Sequence, residues 1–215
     1  MKKAITLMIC LSLLLPFAIA QDEADYSNNE FKTLFGDKNV SHGGYGAMTF
    51  NYSQIDGKDA ILMGARGAWV IGHGFALGFA GYGFLNDYSF NQYLAGGRNV
   101  NLTGGYGGLL LEPIIFGKFP VHVSVPILIG AGGIAYTSTW NPYPYDHHNF
   151  DLLIEDATGY FVVEPGLELE INVVRFFRIA LGGYYRYTSH ITLYDTAEDV
   201  LNGWSAGLTL KFGKF

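Results

Sequence analysis

The sequence predicts an all-β fold, an eight-stranded antiparallel up-and-down transmembrane β-barrel with short periplasmic turns and longer external loops. Three observations predict it. Apolar residues alternate with polar or small ones through eight segments of roughly ten to fourteen residues, the length of tilted membrane strands. The connections between those segments alternate between short and long. After the first twenty residues no run approaches the ~18 uninterrupted apolar residues of a helical span. If the chain spans a membrane it does so with strands, because only helices and closed barrels satisfy their backbone in lipid.

Residues 1–20 read as a secretory signal: Lys2 and Lys3 open it, an apolar stretch covers 4–17, and Ala18-Ile19-Ala20 forms a small-residue cleavage site. A retained anchor is the alternative reading, but the apolar run is short for a helical span. Cys10 lies inside that run after bulky Ile9, which does not suit lipidation, so a mature chain beginning near Gln21 contains no cysteine. Neither a disulfide framework nor a thiolate site is available to it. Loss of Lys2 and Lys3 takes the formal charge from −6 to −8, which argues against nucleic acid as a partner. Residues 21–40 are polar and acidic, with Phe31, Leu34 and Phe35 at helix-like spacing, and read as a periplasmic tail or short helix. Residues 41–215 form the barrel.

The eight segments run over 44–54, 60–71, 75–85, 102–115, 121–138, 160–173, 177–188 and 201–212. Successive side chains on a strand point to opposite faces. In the first segment Met48, Phe50 and Tyr52 oppose Thr49, Asn51 and Ser53; in the second Ile61, Met63, Ala65 and Trp69 oppose Leu62, Arg66 and Val70. The third is too rich in glycine for its faces to be assigned. In the fifth Val121, Val123, Val125, Ile127 and Ile129 oppose His122, Ser124 and Leu128. The sixth alternates most clearly: Phe161, Val163, Pro165, Leu167, Leu169 and Ile171 take one face, Glu164, Glu168, Glu170 and Asn172 the other. In the seventh Phe177, Ile179, Leu181, Tyr185 and Tyr187 oppose Arg178, Tyr184, Arg186 and Thr188.

The short connections are 72–74, 116–120 and 174–176; the long ones are 86–101, 139–159 and 189–200. Only the first, turning at Asp56-Gly57, is short on the long side. That parity puts both barrel ends of the chain in the periplasm.

Eight strands leave an interior that side chains fill. The interior candidates are Arg66, Glu112, Glu164, Glu168, Glu170, Arg178 and Arg186. Buried charges must pair, and four carboxylates against three guanidinium groups are close to balance. The expected role is a structural ion-pair network plugging the lumen; a narrow ion or proton path through the same groups is the alternative. Glycine runs beside tyrosines, such as Gly43-Gly44-Tyr45-Gly46 and Gly104-Gly105-Tyr106-Gly107-Gly108, read as bends and close approaches in a tight barrel. Tyr45, Trp69, Tyr136, Trp140, Tyr187 and Trp204, near strand ends, read as an interfacial girdle.

The signal segment, the eight-segment pattern and the final strand, in which Trp204, Ala206, Leu208, Leu210 and Phe212 alternate outward, resemble small outer-membrane barrels of the OmpA/OmpX/OmpW type. The resemblance covers residues 41–215. It implies a Gram-negative outer-membrane location, outer-membrane lipid and the barrel-assembly machinery as partners, and a role in adhesion, envelope stabilisation or porin-like passage of small solutes. Such barrels end on an aromatic residue that the assembly machinery recognises; here Gly213-Lys214-Phe215 follow Phe212, so either phenylalanine fits that part.

Some barrels of this size modify lipid, which would need a His-x-Ser pair facing the outer leaflet. His122-Val123-Ser124 has the spacing, but alternation turns both residues inward near the periplasmic end, so no catalytic residue and no cofactor are expected. Trp140, Tyr143, Tyr145, Asp146, His147 and His148 make the fifth connection a candidate for external contact. Adjacent histidines alone do not make a metal site, which needs three or four converging ligands. A soluble periplasmic or secreted barrel holding an apolar ligand is a third reading.

Overall fold

A computed structural model of the chain describes residues 41–90, 99–140 and 151–215. Nine strand segments follow in order: β1 (His42–Ile55), β2 (Lys58–Ile71), β3 (Phe75–Phe90), β4 (Asn99–Ile115), β5 (Val121–Ser124), β6 (Ile127–Trp140), β7 (Asp151–Val174), β8 (Phe177–Thr188) and β9 (Gly203–Lys214). β5 and β6 are one barrel strand broken at Val125-Pro126, so the ring has eight. Proline has no N–H to give to a ladder, and the break changes hydrogen bonds without shifting register. Ile114 pairs with Ser124 and Leu111 with Ile127, while the Val125 N–H and the Pro126 carbonyl still bond to β4 and β7.

Every neighbouring pair is antiparallel, and β9 pairs with β1 to close the sheet. Extending the cross-strand registers once round the ring from Tyr45, through Ala68, Gly78, Leu110, Leu128, Glu164, Arg186 and Gly203, leads back to β1 at the level of Ile55, ten residues further along. This stagger is the shear that tilted strands need in order to close, and closure leaves no edge along the wall.

Asp56 and Gly57, both at positive φ (55° and 69°), make the two-residue turn between β1 and β2. A turn with two left-handed centres matches the twist of its flanking strands, which is why Asp-Gly suits it. Gly72 and His73 repeat the device between β2 and β3, with the Gly74 N–H bonded to the Ile71 carbonyl.

At the long-loop end the strands run further than the apolar alternation does. β3 continues to Phe90, β4 begins at Asn99, β6 ends at Trp140 and β7 begins at Asp151. The connections expected over 86–101 and 139–159 are thus partly strand, bulged at Leu85/Tyr88 and Tyr136/Thr137. Strand that rises clear of a bilayer no longer needs an apolar outward face, so that pattern fades there.

The wall is apolar outside. Phe79 is 70% exposed, Phe161 75%, Leu167 61% and Leu181 61%, and Met48, Phe50, Ile61, Met63, Leu169 and Ile171 also face outward. An exposed apolar surface that encircles a molecule is far beyond the few hundred Å² a water-soluble monomer presents; it is the belt of a chain that spans a bilayer. β3 sorts itself likewise, with Ala76, Ala80, Tyr82 and Phe84 buried and Leu77 and Phe79 outward. Two residues read as girdle aromatics are instead interior. Tyr45 and Tyr136 are buried, whereas Trp69, Tyr187 and Trp204 are exposed; Tyr45 shares strand parity with inward Ala47 and Thr49.

Inside, close approach explains several glycines. A β-carbon at Gly166 would collide with the Tyr184 ring and one at Gly64 with the Tyr82 ring, while outward Gly183 has open space. The two tyrosines lie flat across the lumen because the wall beneath them carries no side chain.

Candidate functional site

The seven interior candidates are all buried, and an eighth charge joins them. Arg66 (β2), Glu112 (β4), Glu164, Glu168 and Glu170 (β7), and Arg178 and Arg186 (β8) surround Lys211 (β9). The lumen therefore holds four carboxylates against four cations. Lys211 is the centre: its Nζ donates to Glu112 and to Glu170 Oε1 at 2.6 Å, and lies 2.9 Å from Glu168 Oε2. Three carboxylates from two strands converge on one ammonium, which has three donors to give.

Each carboxylate has further partners. Glu168 accepts from Arg66, from the Tyr184 hydroxyl at 2.5 Å and from Ser124 Oγ at 3.2 Å. Glu170 lies 3.0 Å from His122 Nε2 and 3.6 Å from Arg178 Nη1. His122 Nδ1 faces the Phe119 carbonyl at 3.2 Å, and its Nε2 also lies 3.3 Å from Arg178 Nη1. Glu112 accepts from Tyr45. Nearer the long-loop end, Glu164 accepts from Tyr106 at 2.6 Å and sits 4.0 Å from Arg186, whose Nε donates to the Leu201 carbonyl at 2.7 Å. Aromatic faces cover the cations: Arg66 lies over Tyr184 and Tyr82, Arg186 over Tyr106, Lys211 over Tyr45. Burial removes water from every one of these groups, so each must find its compensation inside the wall.

Apolar side chains lie at each end of the lumen. At the long-loop end, the connection 189–202 folds inward and buries Ile191, Leu193, Val200 and Leu201 against Ile55, Leu62, Phe84, Leu102, Ile134 and Tyr136. Polar contacts fasten it: Tyr194 N–H to Asp156, Asn202 Oδ1 to the Thr188 backbone and side chain, Tyr136 hydroxyl to Thr196. At the short-turn end Phe215 stacks on Tyr45 at 5.9 Å, and the Arg178 guanidinium sits 3.8 Å from its ring centre. Phe212 faces outward, stacked on Phe177.

His122 and Ser124 are interior, spoken for by Glu170 and Glu168. Glu112, Glu168 and Glu170 are close enough together to ligate a metal, but Lys211 stands among them and supplies the charge a cation would. Of the external-loop candidates, Trp140 is the last residue of β6; Tyr143, Tyr145, Asp146, His147 and His148 lie outside the described residues.

Neither a protein-family model nor a curated protein matches the chain. Among solved structures, the crystal structure of Neisserial surface protein A matches with a TM-score of 0.53 at 9% identity, over 83% of this chain and 100% of that one. The fold is that of a small outer-membrane β-barrel. The N-terminal β-barrel domain of Pseudomonas aeruginosa OprF also matches (TM-score 0.48, 12% identity, 81% of this chain and 98% of that one). So does Ail, the attachment invasion locus protein of Yersinia pestis (0.45, 10%, 80% and 97%). At these identities the likeness is one of architecture, and the charged lumen of the present barrel is described by its own residues alone.

Proposed function

We propose that the chain is a non-enzymatic barrel of the Gram-negative outer membrane, whose lumen is a closed structural core and whose contacts are made at its outer rim. The short-turn end then faces the periplasm and the long-loop end the exterior, with residues 1–20 as the export signal and 21–40 as a periplasmic segment. One observation carries this reading: the interior charges neutralise one another and lie beneath an apolar layer stoppered by 189–202. A conducting path needs polar groups that water or an ion can reach from both sides. His122 and Ser124, the pair with the spacing of a lipid-modifying site, are committed to interior carboxylates and do not open to substrate. The rim has the makings of a contact surface, because β3, β4, β6 and β7 rise beyond the apolar belt and carry the connections 91–98 and 141–150.

A second reading has one observation in its favour. Both side-chain atoms of Asn51, Ser205 Oγ and Arg186 Nη2 are buried without a partner, and such groups suit bridging water, as a narrow polar passage along β1 and β9 would supply. Planar-bilayer recording separates the two. The purified barrel is expected to show no steady conductance, and shortening 141–150 is expected to leave it closed while removing adhesion it confers on a bacterium that displays it. Stable single-channel currents from the intact chain, or adhesion unchanged by the shortening, would contradict the proposal.

A further inference from the structure

Charge is divided between the two ends of the barrel. Among the described residues every exposed side-chain carboxylate, including Asp59, Asp195, Glu198 and Asp199, lies at the long-loop end. The short-turn end has none and instead exposes Lys118 in the β4–β5 turn, Arg175 in the β7–β8 turn and Lys214 at the end of β9. None of these three side chains has a hydrogen bond or ion pair among the described residues, unlike the four interior cations.

Two of the three, Lys118 and Arg175, sit beside exposed apolar residues. Phe116 (70% exposed) and Phe119 (60%) flank Lys118 and meet edge to face at 5.9 Å; Phe176 (63%) follows Arg175. The turns that carry them are joined. Asn172, at the end of β7, donates from its backbone to the Pro120 carbonyl and from its side chain to the Phe119 carbonyl, and the Gly213 N–H donates to the Phe176 carbonyl. These bonds join two turns and the end of β9 into one lip running along the β4-to-β9 arc of the rim.

We infer that this lip docks the anionic headgroups of phospholipids in the adjoining leaflet. Phenyl rings at the edge of the apolar belt occupy the boundary between acyl chains and headgroups, as interfacial aromatics do. The cations lie just beyond them, on stems long enough to reach phosphate while their methylenes stay against the apolar wall. A phosphodiester with net negative charge complements unpaired basic side chains, whereas a zwitterionic headgroup brings its own cation. The inference rests on the membrane reading above and goes beyond it by naming the lipid class and the arc that selects it.

The test uses the full-length mature chain folded in uncharged micelles, titrated with dihexanoyl phosphatidylglycerol or, in a second arm, dihexanoyl phosphatidylcholine, and followed through the amide resonances of 117–119, 175–177 and 213–214. Saturable shifts at these amides with phosphatidylglycerol, and much weaker ones with phosphatidylcholine, are expected. Each charge removed in the series K118Q, K118Q/R175Q and K118Q/R175Q/K214Q should weaken binding about fivefold, the equivalent of about 1 kcal/mol per basic side chain at an anionic surface. D195N/E198Q at the opposite rim should leave it unchanged. Equal response to both lipids, or undiminished affinity in the triple variant, would overturn the inference. So would movement of the same amides on deleting residues 22–38 without lipid, since the acidic segment of the chain itself would then be the occupant. Failure of the membrane reading would look different: the chain would fold and remain soluble with no detergent present.

Discussion

Replacing Lys211 with methionine is expected to destabilise the barrel by about 3–5 kcal/mol, the range for stripping one partner from a buried ion pair. The damage is local to one carboxylate. Without the ammonium, Glu168 keeps Arg66 and Tyr184, and Glu170 keeps His122 and Arg178. Among the described residues Glu112 keeps only the Tyr45 hydroxyl and has no other cation within salt-bridge distance. The double variant K211M/E112Q restores neutrality and lets the amide oxygen accept from Tyr45, so it should regain most of the lost stability. Denaturant midpoints in micelles, read from the difference in gel migration between folded and heated barrel, check both variants. A K211M midpoint equal to that of the wild type, or a double variant no better than the single, would mean that Lys211 is not the hub of the network.

The outward face should be as intolerant of charge as the inward face is of its removal. Leu169 is exposed on β7 between outward Val123 and Leu181 on the neighbouring strands. Leu169→Arg is expected to cost about 2–4 kcal/mol of folding free energy in a bilayer, whereas Trp204→Arg, at the long-loop rim, should cost about 0–1 kcal/mol. Reversible unfolding from lipid vesicles measures the difference. Equal costs at the two positions would remove the depth dependence that hydrocarbon imposes.

Strand parity made much of this architecture legible. Where a strand has one face in lipid and the other in a packed lumen, each residue type is confined to one side. Glu164, Glu168 and Glu170 could therefore be sorted from Val163, Leu167 and Leu169 by position alone. The same parity contained Lys211. Alternation from Trp204 to Phe212 turns Ser205, Thr209 and Lys211 inward, opposite the apolar pattern that fits an assembly signal. Tyr45 and Tyr136 lie near strand ends, where a tyrosine suits a girdle, but strand parity turns both inward.

Other features have no one-dimensional trace. In 189–202 the apolar residues Ile191, Leu193, Val200 and Leu201 keep neither strand nor helix spacing, and they are buried with residues of five strands, β1, β2, β3, β4 and β6. The upper strand segments around 86–90 and 151–159 follow the pairing of their neighbours without an apolar face to announce them. Pro126 reads as a strand breaker, yet register carries across it because the flanking ladders fix both sides.

The most direct measurement of the account is a nitroxide scan of the outward positions of β7, at Phe161, Val163, Leu167, Leu169 and Ile171, in reconstituted vesicles. Oxygen, which partitions into hydrocarbon, should relax labels at the centre of this series most, and a water-soluble nickel chelate should relax them least, with the contrast falling towards both ends. Nickel access that is uniform and high along the series would contradict a hydrocarbon-facing wall.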